Sequence, residues 1–357
     1  MIRLDLALTG QRGRRGRRAE EAGDQTLLPM AMYELGGARW SRGDLEGAEQ
    51  HWRRSLQLAQ QIGDERAQGH GFNGLAVLAI CRGQPMEARR HLEQATAVFE
   101  RLGMLGPLVV ARANLIEVYA DSGVLRKALT LADRTLSQSE EASFPQGIAI
   151  GKGWRSRVLV RLGRLDEAER EADQALAIVT RLEIRDDEAM IRSVRVEAAL
   201  RARPPAEVLA RIEALQQVLE IHDAERIANE VRGWQAATLA QLGRTDEAAA
   251  VLEDAVAPPA KSWPHVQVRT DLAVGRALAA LGRPGPAREV LQRALGLAEA
   301  NGFRYFQLVA HLELHRIADD ASVRDRHHRV ASGLARSLAA NLPADEAARF
   351  LVHHDVA

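Results

Sequence analysis

Three stretches hold residue types at spacings that could do chemistry. Gly69-His70-Gly71-Phe72-Asn73-Gly74 matches, letter for letter, the glycine pattern that lets a backbone approach a dinucleotide pyrophosphate. That loop works only where a β-strand runs into a helix, and here it lies inside a segment of helical periodicity with no strand before it. Gly147-Ile148-Ala149-Ile150-Gly151-Lys152-Gly153 is one residue short of a phosphate loop and lacks the hydroxyl that would hold magnesium. His311 and His315 stand four apart, which sets two imidazoles on one helix face as a metal needs. No cysteine or carboxylate at matching spacing completes a ligand set, and His327-His328 and His353-His354 lie too far along the chain to assign. No serine, cysteine or carboxylate pair comes with a base or an orienting partner. The sequence therefore assigns no catalytic residue, no metal and no cofactor, and the expectation is a protein that is not an enzyme.

The elements that would position any functional residue recur every 40 positions. Gly83-Gln84-Pro85-Met86-Glu87-Ala88 shows the unit: a glycine ends one helix and an alanine five residues later sits on the next. The same pair recurs at Gly43/Ala48, Gly123/Ala128, Gly163/Ala168, Gly243/Ala248 and, one residue early, Gly282/Ala287. Seven residues further on, Ser55, Ala95, Thr135, Ala175, Ala255 and Ala294 are again small. Repeated helix-turn-helix units predict a stacked array. The glycine can close a helix in the left-handed conformation, and acidic residues such as Asp166-Glu167 suit the positive N-terminal dipole of the helix that follows. The alanine is expected where two antiparallel helices joined by a short turn cross most closely.

The repeats divide the chain into three parts. Residues 1–25 look like half a repeat, with a basic run of five arginines from Arg12 to Arg18 that reads as a solvated end cap. Residues 26–305 hold seven hairpins, at 26–65, 66–106, 107–146, 147–187, 188–225, 226–265 and 266–305. Residues 306–357 read as C-terminal capping helices. The fifth unit departs from the pattern: Arg203 fills the glycine slot and Val208 the alanine slot, with Pro204-Pro205 as a different stop signal. A local bend is expected there. Pro258-Pro259 is expected to cut the second helix of the sixth unit short.

Composition excludes several classes. The 48 basic and 48 acidic residues cancel, so no global field draws the chain to nucleic acid or anionic lipid. Positive charge is almost all arginine, with lysine only at 127, 152 and 261. A single cysteine, Cys81, permits no internal disulfide. No apolar run is long enough to span a membrane, and the N-terminus lacks the pattern of a signal peptide. The location expected is the cytoplasm.

A helix pair with glycine at its turn and small residues five and twelve positions later resembles the tetratricopeptide repeat. Gly163-Arg-Leu-Asp-Glu-Ala168 with Ala175, and Gly243-Arg-Thr-Asp-Glu-Ala248 with Ala255, carry the resemblance most fully. Leu35-Gly36, Leu115 with Tyr119, and Gly275 fill slots where that family keeps large, small and aromatic groups. The resemblance implies an all-α, right-handed α-solenoid of about seven hairpins, with longer units than the basic 34-residue repeat. The tail, Ala335 to Leu351, is similar to the C-terminal end of large bacterial signalling proteins in which such repeats follow a kinase, cyclase or regulatory ATPase. With the half repeat at the start, it implies a detached portion of a larger regulator.

In such arrays the first helices line a concave face. The slot nine residues before the turn glycine holds Asn114, Trp154 and Trp234, and the slot six before it holds Arg157 and Arg276, with Glu197 in register. Tryptophan and arginine are the residues that most often anchor binding. The expected contact set for a peptide or protein partner is thus Trp154, Trp234, Asn73, Asn114, Arg157, Glu197 and Arg276. The family's use of lysine and asparagine to grip a terminal carboxylate fits poorly, since Lys127 falls on a second helix. The leading expectation is a non-enzymatic adaptor that holds a partner along this face. The alternative is a regulatory sensor in which a small ligand or signal peptide changes superhelix shape about the fifth unit.

Overall fold

The computed structural model describes residues 26–221, 225–256 and 263–356. The basic N-terminal cap at residues 1–25 and the Pro258-Pro259 stop lie outside the described residues. Among these, the chain is all helix: α1 Leu28–Ser41, α2 Leu45–Ile62, α3 Glu65–Cys81, α4 Pro85–Arg101, α5 Leu105–Asp121, α6 Leu125–Glu141, α7 Pro145–Arg161, α8 Leu165–Arg181, α9 Arg185–Ala202, α10 Pro205–Ile221, α11 Glu225–Gln241, α12 Thr245–Val256, α13 Pro264–Ala280, α14 Pro284–Ala300, α15 Arg304–Ile317, α16 Ala321–Ala339 and α17 Ala344–His353. They gather into two compact units, divided between Val118 and Tyr119.

The turns show why the sequence breaks where it does. Gly83 takes φ +70, and its N–H reaches the Ile80 carbonyl while the next N–H, of Gln84, reaches Ala79 at 2.8 Å. Those two bonds satisfy carbonyls that a helix end leaves open. The same closure falls between hairpins as well as within them, so the structural beat is 20 residues rather than 40. Ser143 and Glu183 adopt it without being glycine, at φ 49 and 54; the Ser143 N–H donates to the Glu140 carbonyl and the Phe144 N–H to that of Ser139. In the fifth unit, Arg203 is extended instead, at φ −121, and Pro205 opens α10.

Small residues sit where the helices cross. Ala48, Ala88, Ala128, Ala168, Ala248 and Ala287 are all fully buried, and so are Ser55, Ala95, Thr135, Ala175 and Ala294. First helices are covered on several sides, because each packs on its own partner and on the next hairpin; α3 touches both α2 and α4. Second helices bury one stripe and leave the other face to charge.

In the first unit, Trp52 of α2 is fully buried and its indole N–H donates to the Tyr33 carbonyl at 2.9 Å. A Cβ at Gly36 or Gly74 would lie 2.5 or 2.7 Å from that ring. The glycines of the apparent dinucleotide motif thus serve helix packing: Gly74 faces Trp52, Gly69 faces Phe99, and all lie within α3. The phosphate-loop look-alike is likewise inside α7, where Gly151 lies against the backbone of Leu136.

In the second unit, α15 and α16 pack as one more hairpin, and the single helix α17 follows.

Candidate ligand-binding cavity

Residues one period apart become neighbours on adjacent first helices, and this builds a ladder of polar pairs. In the first unit, Asn114 donates to Asn73 at 3.5 Å, and the Trp40 indole N–H points at the Cys81 sulfur at 3.3 Å. In the second unit, Arg161 of α7 donates to Asp121 at 2.6 Å, and Arg157 pairs with Glu197 of α9 at 3.3 Å. Arg269 of α13 reaches Glu230 of α11 at 2.9 Å and Glu197 at 3.7 Å, and Arg276 donates to Glu313 of α15 at 2.7 Å.

Beside this ladder the second unit holds a cavity of about 1010 Å³ that is partly open to solvent. Its walls come from the first helices. Glu197 and Arg201 face it from α9, Glu230 and Trp234 from α11, Arg269 and Arg276 from α13, and Tyr305, Phe306 and Glu313 from α15. One further side is the turn after α17, His353-His354-Asp355. An apolar cavity with a few convergent charged groups is the usual form of a ligand site. Here the charges are many and of both signs, with aromatic rings between them.

The electrostatics follow from that enclosure. Burial pushes the Glu197 carboxyl up, but the Arg157 and Arg269 guanidiniums outweigh it and hold the pKa below the usual carboxylate range. Glu230 goes the other way: burial and the neighbouring Glu197 raise it against the pull of Arg269. Two carboxylates sharing one guanidinium cannot both be fully compensated. Arg161 stacks over Tyr305 and Phe306, 4.8 and 5.3 Å from their ring centres, and its Nη1 has no hydrogen-bond partner among the described residues. Burial, and then Arg201, drive His353 down to about 4, while burial and the same arginine drive His354 to about 2.

Of the residues expected to bind, Glu197, Trp234 and Arg276 line the cavity. Trp154 does not: it is 0% exposed, enclosed within the helix stack, with Arg157 over its ring at 5.4 Å. Arg157 is itself 2% exposed and acts behind the wall, through Glu197 and Ser193. Asn73 and Asn114 belong to the first unit, buried against each other. Sequence reasoning missed Arg161, Arg201, Glu230, Arg269 and the α15 aromatics. Their signal was present as opposite charges one period apart, such as Asp121 with Arg161.

The histidines meet across the α15–α16 hairpin. The Nδ1 atoms of His311 and His327 are 2.9 Å apart, and the His315 and His328 rings are 5.2 Å apart between centres. Among the described residues no group of three or more such donors is placed to hold a metal ion.

The fold and this wall of first helices define a helix-hairpin repeat protein. Two family models, both described as tetratricopeptide repeat, match residues 27–101 and residues 151–174 and 229–254. Over those stretches the chain carries tetratricopeptide repeats. Among solved structures it is similar to a Rap protein complexed with competence and sporulation factor, at 12% identity and a TM-score of 0.62, covering 93% of this chain and 98% of that one. It is also similar to the apo form of RapI, at 12% identity and a TM-score of 0.61, covering 76% and 98%. That likeness shows a shared all-α repeat fold. No curated protein matches the sequence. No helix among the described residues is long and apolar enough to cross a membrane.

Proposed function

We propose that the chain is a non-catalytic binding protein whose second unit holds a peptide or a protein segment in the cavity lined by its first helices. The observation that carries this reading is the wall itself: Trp234, Tyr305 and Phe306 alternate with arginines and glutamates in a space of about 1010 Å³, large enough for several residues of a peptide. Arginine and aromatic anchors in a desolvated recess are what concentrate binding energy. A pre-built wall also spares a partner the cost of ordering the site. The Rap protein of similar fold, solved in complex with competence and sporulation factor, supports a bound partner on this fold. We place the chain in a bacterial signalling or transcription-regulatory system in the cytoplasm, on the resemblance of its repeats and tail.

The test is a peptide-display selection on the immobilised chain, followed by titration of the enriched peptides against a Trp234→Ala, Arg276→Ala variant. The expected outcome is binding weaker by at least about 2 kcal/mol in the variant. Equal affinity for both chains, with the variant's circular dichroism unchanged, would refute the site.

A further inference from the structure

We propose that the C-terminal segment from Asn341 to Val356 is a built-in occupant of one side of this cavity, where it seats His353, His354 and Asp355, and that the ligand able to displace it is an acidic peptide with a large apolar anchor. This rests on reading the cavity as a peptide site.

The segment is docked along the second unit at several separate points. Arg126 of α6 donates to the Asn341 carbonyl at 3.3 Å. Glu346 pairs with Arg164, in the α7–α8 turn, at 2.9 Å. His353 lies against Gly163 of the same turn, where a Cβ would fall 2.6 Å from its own Cβ, and it also meets Arg201. His354 Nε2 approaches the Arg161 carbonyl at 3.3 Å, and Asp355 pairs with Arg316 at 3.6 Å. Phe350 is 0% exposed, edge-on to His354. A helix of 10 residues such as α17 is not stable alone in water, so its order depends on these contacts.

What the segment covers says what could replace it. Its departure takes Glu346 from Arg164, which keeps Glu167, takes Asp355 from Arg316, which keeps Glu313, and takes His353 from Arg201. Arg201 then keeps the Tyr305 hydroxyl, at 3.3 Å. Arg161 already carries an Nη1 with no hydrogen-bond partner among the described residues. The uncovered side therefore offers Arg161 and Arg201 beside the aromatic rings of Tyr305 and Phe306, next to a wall that also carries Glu197, Glu230 and Glu313. The segment itself answers that side, with Glu346 and Asp355 at its ends and Phe350 between them. A displacing ligand must offer the same chemistry. Because docked and displaced states compete for one wall, loosening the segment must raise the apparent affinity of any such ligand.

The probe is a fluorescein-labelled peptide of residues 344–356, titrated by anisotropy into the full chain and into its Phe350→Ala variant. Binding to the variant at least tenfold tighter than to the parent is expected, with faster hydrogen exchange in the parent's own residues 347–356 as peptide is added. A probe carrying Glu346→Gln and Asp355→Asn should lose at least tenfold. If Phe350→Ala fails the circular-dichroism check, the chain variant Glu346→Arg replaces it. Equal affinity for parent and variant, no binding to either, or tail exchange untouched by bound peptide would each overturn the proposal. The two readings separate cleanly. Library peptides that need Trp234 beside an immovable tail sink the occupant alone, whereas tail displacement with no dependence on Trp234 sinks the Trp234 site alone.

Discussion

Gly163 and Gly243 hold the same slot in two hairpins and the same backbone conformation, φ +77 and +76, yet a methyl group on each meets different surroundings. At Gly243 a Cβ has nothing within 4 Å; at Gly163 it runs into His353 at 2.6 Å. Gly243→Ala should therefore cost only the left-handed strain of an L-residue, about 1–2 kcal/mol. Gly163→Ala should cost more, because the same strain is joined by loss of tail docking. Chemical denaturation of the two variants compares them directly. Equal losses would mean that His353 is not seated on that turn. The pair also separates what one sequence letter conceals: the repeat pattern reports the φ that a turn requires, while the tertiary neighbour of that turn lies 190 residues away and leaves no local trace. Trp154 carries the same lesson. Its slot is shared with Trp234, but Arg157 and the neighbouring hairpin close over one ring and leave the other on the cavity wall.

At the scale of the helix hairpin, the period of small residues translates directly into packing. Ala168 and Ala248 are fully buried at the start of α8 and α12, against the helices that precede them. Enlarging either to leucine forces two backbones apart and should cost roughly 1–3 kcal/mol. A thermal melt within error of the parent for both variants would show that the helices have room to spare. This level of structure was the most legible in the sequence, because glycine at a turn and alanine five residues on are each the consequence of one local constraint. The turns between hairpins were harder to see. Ser143 and Glu183 adopt the left-handed conformation there without the residue that normally signals it, whereas Gly63, Gly103 and Gly302 do carry that residue. The polar ladder is legible only once the array is assumed, since Arg157 with Glu197, or Asp121 with Arg161, are unremarkable charges until a 40-residue step lays one beside the other.

At the scale of the whole molecule, the tail couples the cavity to pH, and the sign follows from its histidines. Burial, and Arg201 beside them, hold His353 and His354 neutral when docked, with values of about 4 and about 2 against an ordinary 6.5. A released tail would take up protons near the ordinary value. Docking is therefore at full strength above about pH 6.5 and weakens as pH falls toward 4, because the free tail binds protons that the docked one refuses. The other charged groups facing the pair are Arg201, Arg316 and Asp355, with Tyr305 and Phe350 as aromatic neighbours. The arginines stay charged across this window. Asp355 opposes the shift at His353 without reversing it. His311 at the α15–α16 hairpin is also depressed to about 4, by burial and His327, so its effect must be subtracted. Hydrogen exchange of residues 347–356, corrected for intrinsic rates, should show protection falling between pH 7.5 and 5 in the parent and in a His311→Gln control. A His353→Asn, His354→Gln chain should lose most of that dependence. Protection that is flat with pH in the parent, with the histidines titrating near 6.5, would show that the tail does not dock through their neutral rings.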